Sequence, residues 1–100
     1  MELSILAIVE IFFLTKKLSV KDIQLIEKLL RGDKSVESLS VYGDRITFHI
    51  LGKDKVDYKV LDQIKEELKK RKCSDFTISA VEYMKTANKY YYDANTTGKE

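Results

Sequence analysis

The sequence predicts an α+β domain, because one segment is rich in β-branched and aromatic residues, three segments alternate with strand spacing, and two have apolar residues at helix spacing. A length of 100 residues suits a single domain with one hydrophobic core. Hydrophobic residues make up 44% of the chain and charged residues 34%, proportions typical of globular proteins. We expect one α+β domain over residues 1–84 and a polar, tyrosine-containing and partly disordered C-terminal tail over residues 85–100.

The first element is expected over residues 3–14, LSILAIVEIFFL, where β-branched and aromatic residues favour a strand over a helix. A secretory signal peptide is not expected, because no basic residue precedes the apolar run and no small-residue cleavage signal follows it. A membrane span would need about twenty apolar residues. Because Glu10 interrupts the run and two lysines end it, we expect no membrane association.

The second element is a helix whose N-terminus is marked by Ser19. Ser19 stands three residues before Asp22, as in a capping box, and Leu18 and Ile23 have the spacing of a hydrophobic staple. The residues that form its apolar face are Val20, Ile23, Ile26, Leu29 and Leu30. Gly32 is expected to follow the helix as its C′ residue, in the left-handed backbone conformation.

The next segment, residues 36–51, predicts a hairpin of two strands. Its sequence VESLSVYGDRITFHIL alternates apolar and polar side chains on both sides of Gly43-Asp44. A tight turn at Gly43-Asp44 is expected to need positive φ, which glycine tolerates.

The last two elements are a helix over residues 57–72 and a strand over residues 75–84. Val60, Leu61, Ile64 and Leu68 have helical spacing, whereas DFTISAVEYM alternates. The complete order, β-α-β-β-α-β, is that of the ferredoxin-like fold. We therefore expect a four-stranded antiparallel sheet with both helices on one face and the first and third strands in the centre.

The first strand is apolar on both of its faces, which is the main functional signal in the sequence. One row of alternate residues is expected to face the helices: Leu3, Ile5, Ala7, Val9, Ile11 and Phe13. The other row is expected to face outward: Ser4, Leu6, Ile8, Glu10, Phe12 and Leu14. Covering the four large apolar groups of the outward row would contribute about 6–12 kcal/mol gross, so a partner surface is expected.

The expected function is that of a small non-enzymatic regulatory or inhibitory protein-interaction module. The expected interface residues are Leu6, Ile8, Glu10, Phe12, Tyr42, Arg45, His49, Leu51 and Tyr83, with Val81 adding to the same face. If the central strands pair about their midpoints, Glu10 lies beside Thr47 and diagonal to Arg45 and His49. The partner is a second copy in a twofold homodimer or a larger protein. Strand addition along the sheet edge near residues 38–41 is an open variant.

The alternative function is nucleic-acid binding by the basic end of the second helix together with tail tyrosines. Its contact residues would be Lys65, Lys69, Lys70, Arg71, Lys72, Tyr90, Tyr91 and Tyr92. A structural explanation competes with it, because basic residues complement the dipole at a helix C-terminus. The pairs Glu66–Lys70 and Glu67–Arg71 are also spaced for ion pairing, and the tyrosines can pack on the domain.

No catalytic, cofactor or metal site is expected. His49 is the single histidine, and an enzyme would need it to converge with Glu10 and Arg45 in a pocket. Cys73 is the single cysteine, so it forms no internal disulfide and no paired metal-ligand motif. A reducing, cytoplasmic setting is the simpler interpretation. The net charge of +2 is no electrostatic signature of a nucleic-acid or membrane binder.

Overall fold

The computed structural model describes residues 3–14, 19–83 and 89–94. Its elements are β1 (Ser4–Phe13), α1 (Val20–Arg31), β2 (Val36–Val41), β3 (Arg45–Gly52), α2 (Lys59–Lys70), β4 (Phe76–Glu82) and β5 (Lys89–Asp93). All strand pairs are antiparallel, and the sheet has the order β2-β3-β1-β4-β5. The expected element order and the central position of β1 and β3 are confirmed. The expected number of four strands is wrong, because β5 adds a fifth.

The strand β5 comes from the segment that the sequence assigns to the C-terminal tail. It pairs with β4 in the register Ile78↔Tyr92, Ser79↔Tyr91 and Ala80↔Tyr90. Tyr90 and Tyr92 pack against the core, whereas Tyr91 points to the other side of the sheet and is 66% exposed. Three tyrosines in a row hide this alternation, because both sides of the strand carry the same residue type.

The core lies between the helices and one face of the sheet. Its strand residues include Ala7, Val9, Ile11, Phe13, Ile46, Phe48, Ile50, Phe76, Ile78 and Ala80. Its helix residues are Ile26, Leu30, Val60, Leu61, Ile64 and Leu68, so both helices cover the same face. The amphipathic spacing of α2 is confirmed in full. In α1, Val20 does not join the core and is 72% exposed, because it lies at the first helical position.

A β-bulge at Leu6 changes the expected alternation at the start of β1. The pairs Ile5↔Leu51 and Ala7↔Ile50 leave Leu6 as an extra residue. Leu6 is therefore buried rather than outward, and a Cβ added at Gly52 would lie 2.6 Å from its Cδ1. The expected rows hold from Ala7 onward. Ile5 pairs with Leu51 and therefore lies on the outward side instead of facing the helices, and Leu3 is exposed.

The N-cap of α1 is confirmed, but the two glycine conformations are not. The backbone N–H of Asp22 donates to Ser19 Oγ at 3.2 Å, while Leu18 lies outside the described residues. Gly32 has φ −78° and follows α1 in right-handed conformation. The φ of Gly43 is not positive. The hairpin closes through the Tyr42 N–H, which donates to the Arg45 carbonyl oxygen at 2.8 Å.

The left-handed position occurs instead after α2, at Lys72, which has φ 56°. The Cys73 N–H donates to the Leu68 carbonyl at 3.0 Å, and the Lys72 N–H donates to the Lys69 carbonyl at 3.0 Å. These two bonds form a Schellman motif, whose C′ position is usually glycine. A lysine at this position therefore retains the steric strain between its Cβ and the backbone.

This strain predicts that Lys72→Gly raises the free energy of unfolding. We expect a gain of about 0.5–1 kcal/mol, because relief of the strain exceeds the added entropy of a glycine in the unfolded chain. The matched control is Lys69→Gly, inside α2, which should lower the free energy of unfolding by about 1 kcal/mol. Urea denaturation measures both variants, and the same sign for both would contradict this account of the motif.

Candidate functional site

The outer face is the side of the sheet that lies opposite the helices. Alternation along each strand places on it side chains that include Ile5, Ile8, Glu10, Phe12, Glu37, Ser40, Arg45, Thr47, His49, Leu51, Thr77, Ser79, Val81, Tyr91 and Asp93. One row crosses the full sheet in register: Ser40, Thr47, Glu10, Ser79 and Tyr91. The outer face is thus one continuous surface that β1 crosses at its centre.

Several large apolar side chains of the outer face remain partly exposed to solvent. Ile8 of β1 pairs directly with Val81 of β4, and they are 39% and 47% exposed. Phe12 lies two residues further along β1 and is half-buried. Tyr91 extends the apolar area across β5. The outer face is therefore amphipathic, with apolar groups on both sides of the polar row through Glu10.

Glu10 and Arg45 form the charged centre of the outer face. The predicted pairing Glu10↔Thr47 is confirmed, and Glu10 Oε2 lies 3.6 Å from Arg45 Nη1. Arg45 Nε also lies 3.8 Å from Asp44 Oδ1, and its guanidinium carbon is 5.3 Å from the Tyr42 ring centre. Glu10 and Arg45 are each nearly half exposed, so this ion pair contributes little to the stability of the domain.

His49 lies on the outer face between Glu37 of β2 and Ile8 of β1. Its Nδ1 atom is buried and has no hydrogen-bond partner among the described residues. His49 is diagonal to Glu10, as the sequence predicts. Glu10 pairs with Thr47, and His49 lies two residues beyond Thr47 on the same strand, β3. Glu10, Arg45 and His49, the three residues that an enzyme would need to bring together in a pocket, thus share one sheet face.

The other predicted interface residues lie around this centre, with one difference. Leu51 is half-buried on β3, and Tyr42 and Tyr83 are exposed at strand ends. The Tyr83 N–H donates to the Leu6 carbonyl at 3.0 Å, so the end of β4 is attached to the bulge. Leu6 itself is buried and offers no side-chain surface. The sequence predicts Tyr91 as a nucleic-acid contact and not as a residue of the outer face, because it assigns this segment to the tail.

Two tyrosines predicted to contact nucleic acid pack on the helix side of the sheet instead. We define the tyrosine cluster as Tyr58, Tyr90 and Tyr92. The rings of Tyr58 and Tyr90 stack at 4.9 Å, and Lys65 Nζ lies 4.6 Å from the Tyr92 ring centre and 5.1 Å from that of Tyr90. The Tyr58 hydroxyl donates to Glu82 Oε2 at 2.7 Å. The tyrosine cluster joins the start of α2 to β4 and β5.

The basic residues of α2 do not form one free surface with the tyrosines. Arg71 donates to Asp22 Oδ1 at 2.9 Å and to Glu67 Oε2 at 2.7 Å, which confirms the predicted Glu67–Arg71 pair and links the two helices. Lys70 pairs with Glu67 at 3.6 Å rather than with Glu66. The exposed members of the predicted set are Lys69, Lys70, Lys72 and Tyr91. Tyr91 is on the opposite side of the sheet from α2.

Comparisons with protein-family models, with curated proteins and with solved structures found no significant match to this chain. Within residues 3–14, 19–83 and 89–94, no three His, Cys, Asp or Glu side chains are grouped to hold a metal ion. Neither helix of this described part combines the length and the apolar character that crossing a membrane requires.

The tyrosine cluster predicts a pH-dependent contribution to stability. Burial raises the pKa of the Tyr58 phenol well above its usual range, and the hydrogen bond to Glu82 raises the pKa further. A raised folded-state pKa means that the contribution is complete below the unfolded-state pKa of about 10 and declines as pH rises toward the folded-state value. At neutral pH, Tyr58→Phe should lower the free energy of unfolding by about 1 kcal/mol.

Urea denaturation at neutral pH and above about pH 10 tests this prediction. The difference in free energy of unfolding between the natural chain and Tyr58→Phe should shrink at the higher pH. The matched control is Tyr91→Phe, because Tyr91 is exposed. A difference that grows with pH, or one equal to that of the control, would contradict the role given to the Tyr58–Glu82 hydrogen bond.

Proposed function

We propose that this chain is a non-enzymatic protein-interaction module that binds through the outer face of its sheet, in a regulatory or inhibitory role. The observation that supports it is the partial exposure of this face among the described residues, which include residues 89–94 of the C-terminal segment. Residues 89–93 extend the sheet at its edge as β5, and Ile8 and Val81 remain 39% and 47% exposed. Exposed apolar area of this kind is typical of association surfaces.

The composition of the outer face also supports binding to protein. Tyrosine, phenylalanine and arginine are enriched in protein interfaces, and here Phe12, Arg45 and Tyr91 lie on one continuous surface. Covering Ile8, Val81 and Tyr91 would gain about 1 kcal/mol each, because they are already partly covered. Since association itself costs several kcal/mol, the contact must extend over much of the sheet rather than over these three groups alone.

The order of the strands supports a ferredoxin-like arrangement to which β5 has been added. In β2-β3-β1-β4, the strands β1 and β3 are central and both helices lie on one face, which leaves the second face for a partner. We also propose a cytoplasmic location, because Cys73 is the single cysteine of the sequence and a chain with one cysteine forms no internal disulfide.

Nucleic-acid binding ranks second. It would rely on Lys69, Lys70 and Lys72, which are exposed at the end of α2, and it would weaken steeply with salt. Arg71 and Lys65 are less suited to it, because their charges are used in contacts with Asp22, Glu67 and the tyrosine cluster. Three exposed lysines on a solvated helix end are also ordinary for a protein surface.

The proposed function predicts that Ile8→Asp abolishes binding of a protein partner while the fold persists. The tagged chain is incubated with extract of its native cells, and the intact masses of retained proteins, including untagged copies of the chain, are measured. Phe12→Asp should have the same effect, because it places a charge on the same face. Circular dichroism checks that the helices are retained.

The matched control is Val20→Asp, which adds the same charge at an exposed apolar position on α1. It should leave binding unchanged. Retention of no protein by the natural chain, or equal retention by Ile8→Asp and Val20→Asp, would refute the assignment of the outer face. Retention of nucleic acid that is lost with rising salt would favour the second function.

A further inference from the structure

We infer that the occupant of the outer face is a second copy of this chain, related by a twofold axis; this inference rests on the proposed function and names its partner. A twofold interface brings the same surface together from both copies, so that surface must be complementary to itself in charge and in shape. The outer face meets the charge requirement at its centre.

Glu10 and Arg45 supply the two opposite charges at the centre of the outer face. A twofold axis that lies between two stacked sheets and passes between these groups places each Glu10 carboxylate over Arg45 of the other copy. One copy thus supplies both charges that the other needs, by symmetry alone. Two further charged residues of this face whose side chains the structure describes, Glu37 on β2 and Asp93 on β5, lie at opposite edges of the sheet.

Arg45 retains the bonding capacity that this exchange needs. Its contacts with Glu10 and Asp44, at 3.6 and 3.8 Å, are ion pairs that are too long for good hydrogen bonds. The guanidinium carries five N–H donors in a planar fork that matches a carboxylate. In addition, Ile8 and Phe12 flank Glu10 along β1, so a second sheet would exclude water around the exchanged pair.

The area of the outer face reaches the lower limit for a specific dimer. Five strands about 4.8 Å apart, and the seven residues of β4 at about 3.3 Å each, give roughly 24 × 23 Å. Each copy would then cover roughly 550 Å² and the pair roughly 1,100 Å², which exceeds the ~1,000 Å² expected of a specific interface.

Pairing through the edge of β2 is less suited to a partner. The ladder between β2 and β3 is irregular between Glu37 and Ser40, and Ser38 has φ 57°. This kink interrupts the row of N–H and C=O groups that an added strand would need, as edge irregularities commonly do. The face, not this edge, is therefore the surface that a second copy would use.

Exchange of charge between two variants tests the inference. Sedimentation velocity at tens of micromolar should show a dimer of the natural chain. Glu10→Arg leaves two arginines on each face and Arg45→Glu leaves two glutamates, so each variant alone should bind itself about a hundredfold more weakly. An equimolar mixture of the two variants should restore the dimer, because each then meets a face of opposite charge.

The matched control is Glu27→Arg, which reverses one charge of the exposed Glu27–Arg31 pair on α1 and should leave the dimer intact. Circular dichroism confirms folding of every variant. A strict monomer of the natural chain, dimers of both single variants, or a mixture that stays monomeric would overturn the inference. A monomer that still retains another protein from extract, with loss on Ile8→Asp, would overturn self-association alone and leave the proposed function standing.

Discussion

The central strand β1 must satisfy two environments at once, and the rest of the structure follows from this constraint. Val9 and Ile11 point to the helices and are fully buried. Ile8 and Phe12 point the other way, where the helices cannot reach. One row thus drives folding of the domain, and the other forms the centre of the proposed binding surface. Because β1 is flanked by β3 and β4, its outward row lies in the middle of the outer face.

Much of this arrangement could be predicted from periodicity, because a strand with one buried face fixes both its register and its outward residues. The pairing Glu10↔Thr47 is such a case. Positive φ could not be predicted in the same way. The glycines of the sequence pointed to two positions, whereas the described residues with positive φ are Ser38 and Lys72. At Lys72, the bonds that end α2 require a left-handed residue whatever its type.

The remaining differences arise from contacts between distant parts of the chain. The bulge at Leu6 leaves no mark in the hydrophobic pattern, because a buried leucine fits either row. In the sequence, Lys65 has the pattern of a solvent-exposed basic residue. In the structure, its Nζ lies over the rings of Tyr90 and Tyr92, which β5 brings to α2. Residues that seem to belong to a nucleic-acid surface in the sequence are therefore used to attach one segment to another, and no local pattern can show this.

The strand β5 couples the stability of the domain to the size of its proposed binding surface. On the helix side, Tyr90 and Tyr92 anchor the strand to α2 and β4 through ring contacts with Tyr58 and Phe76. On the other side, the same strand carries Tyr91 at the end of the row through Glu10. Contacts within the core thus hold the exposed Tyr91 in place. Any association that uses Tyr91 therefore depends on the packing of the tyrosine cluster on the other side of the sheet.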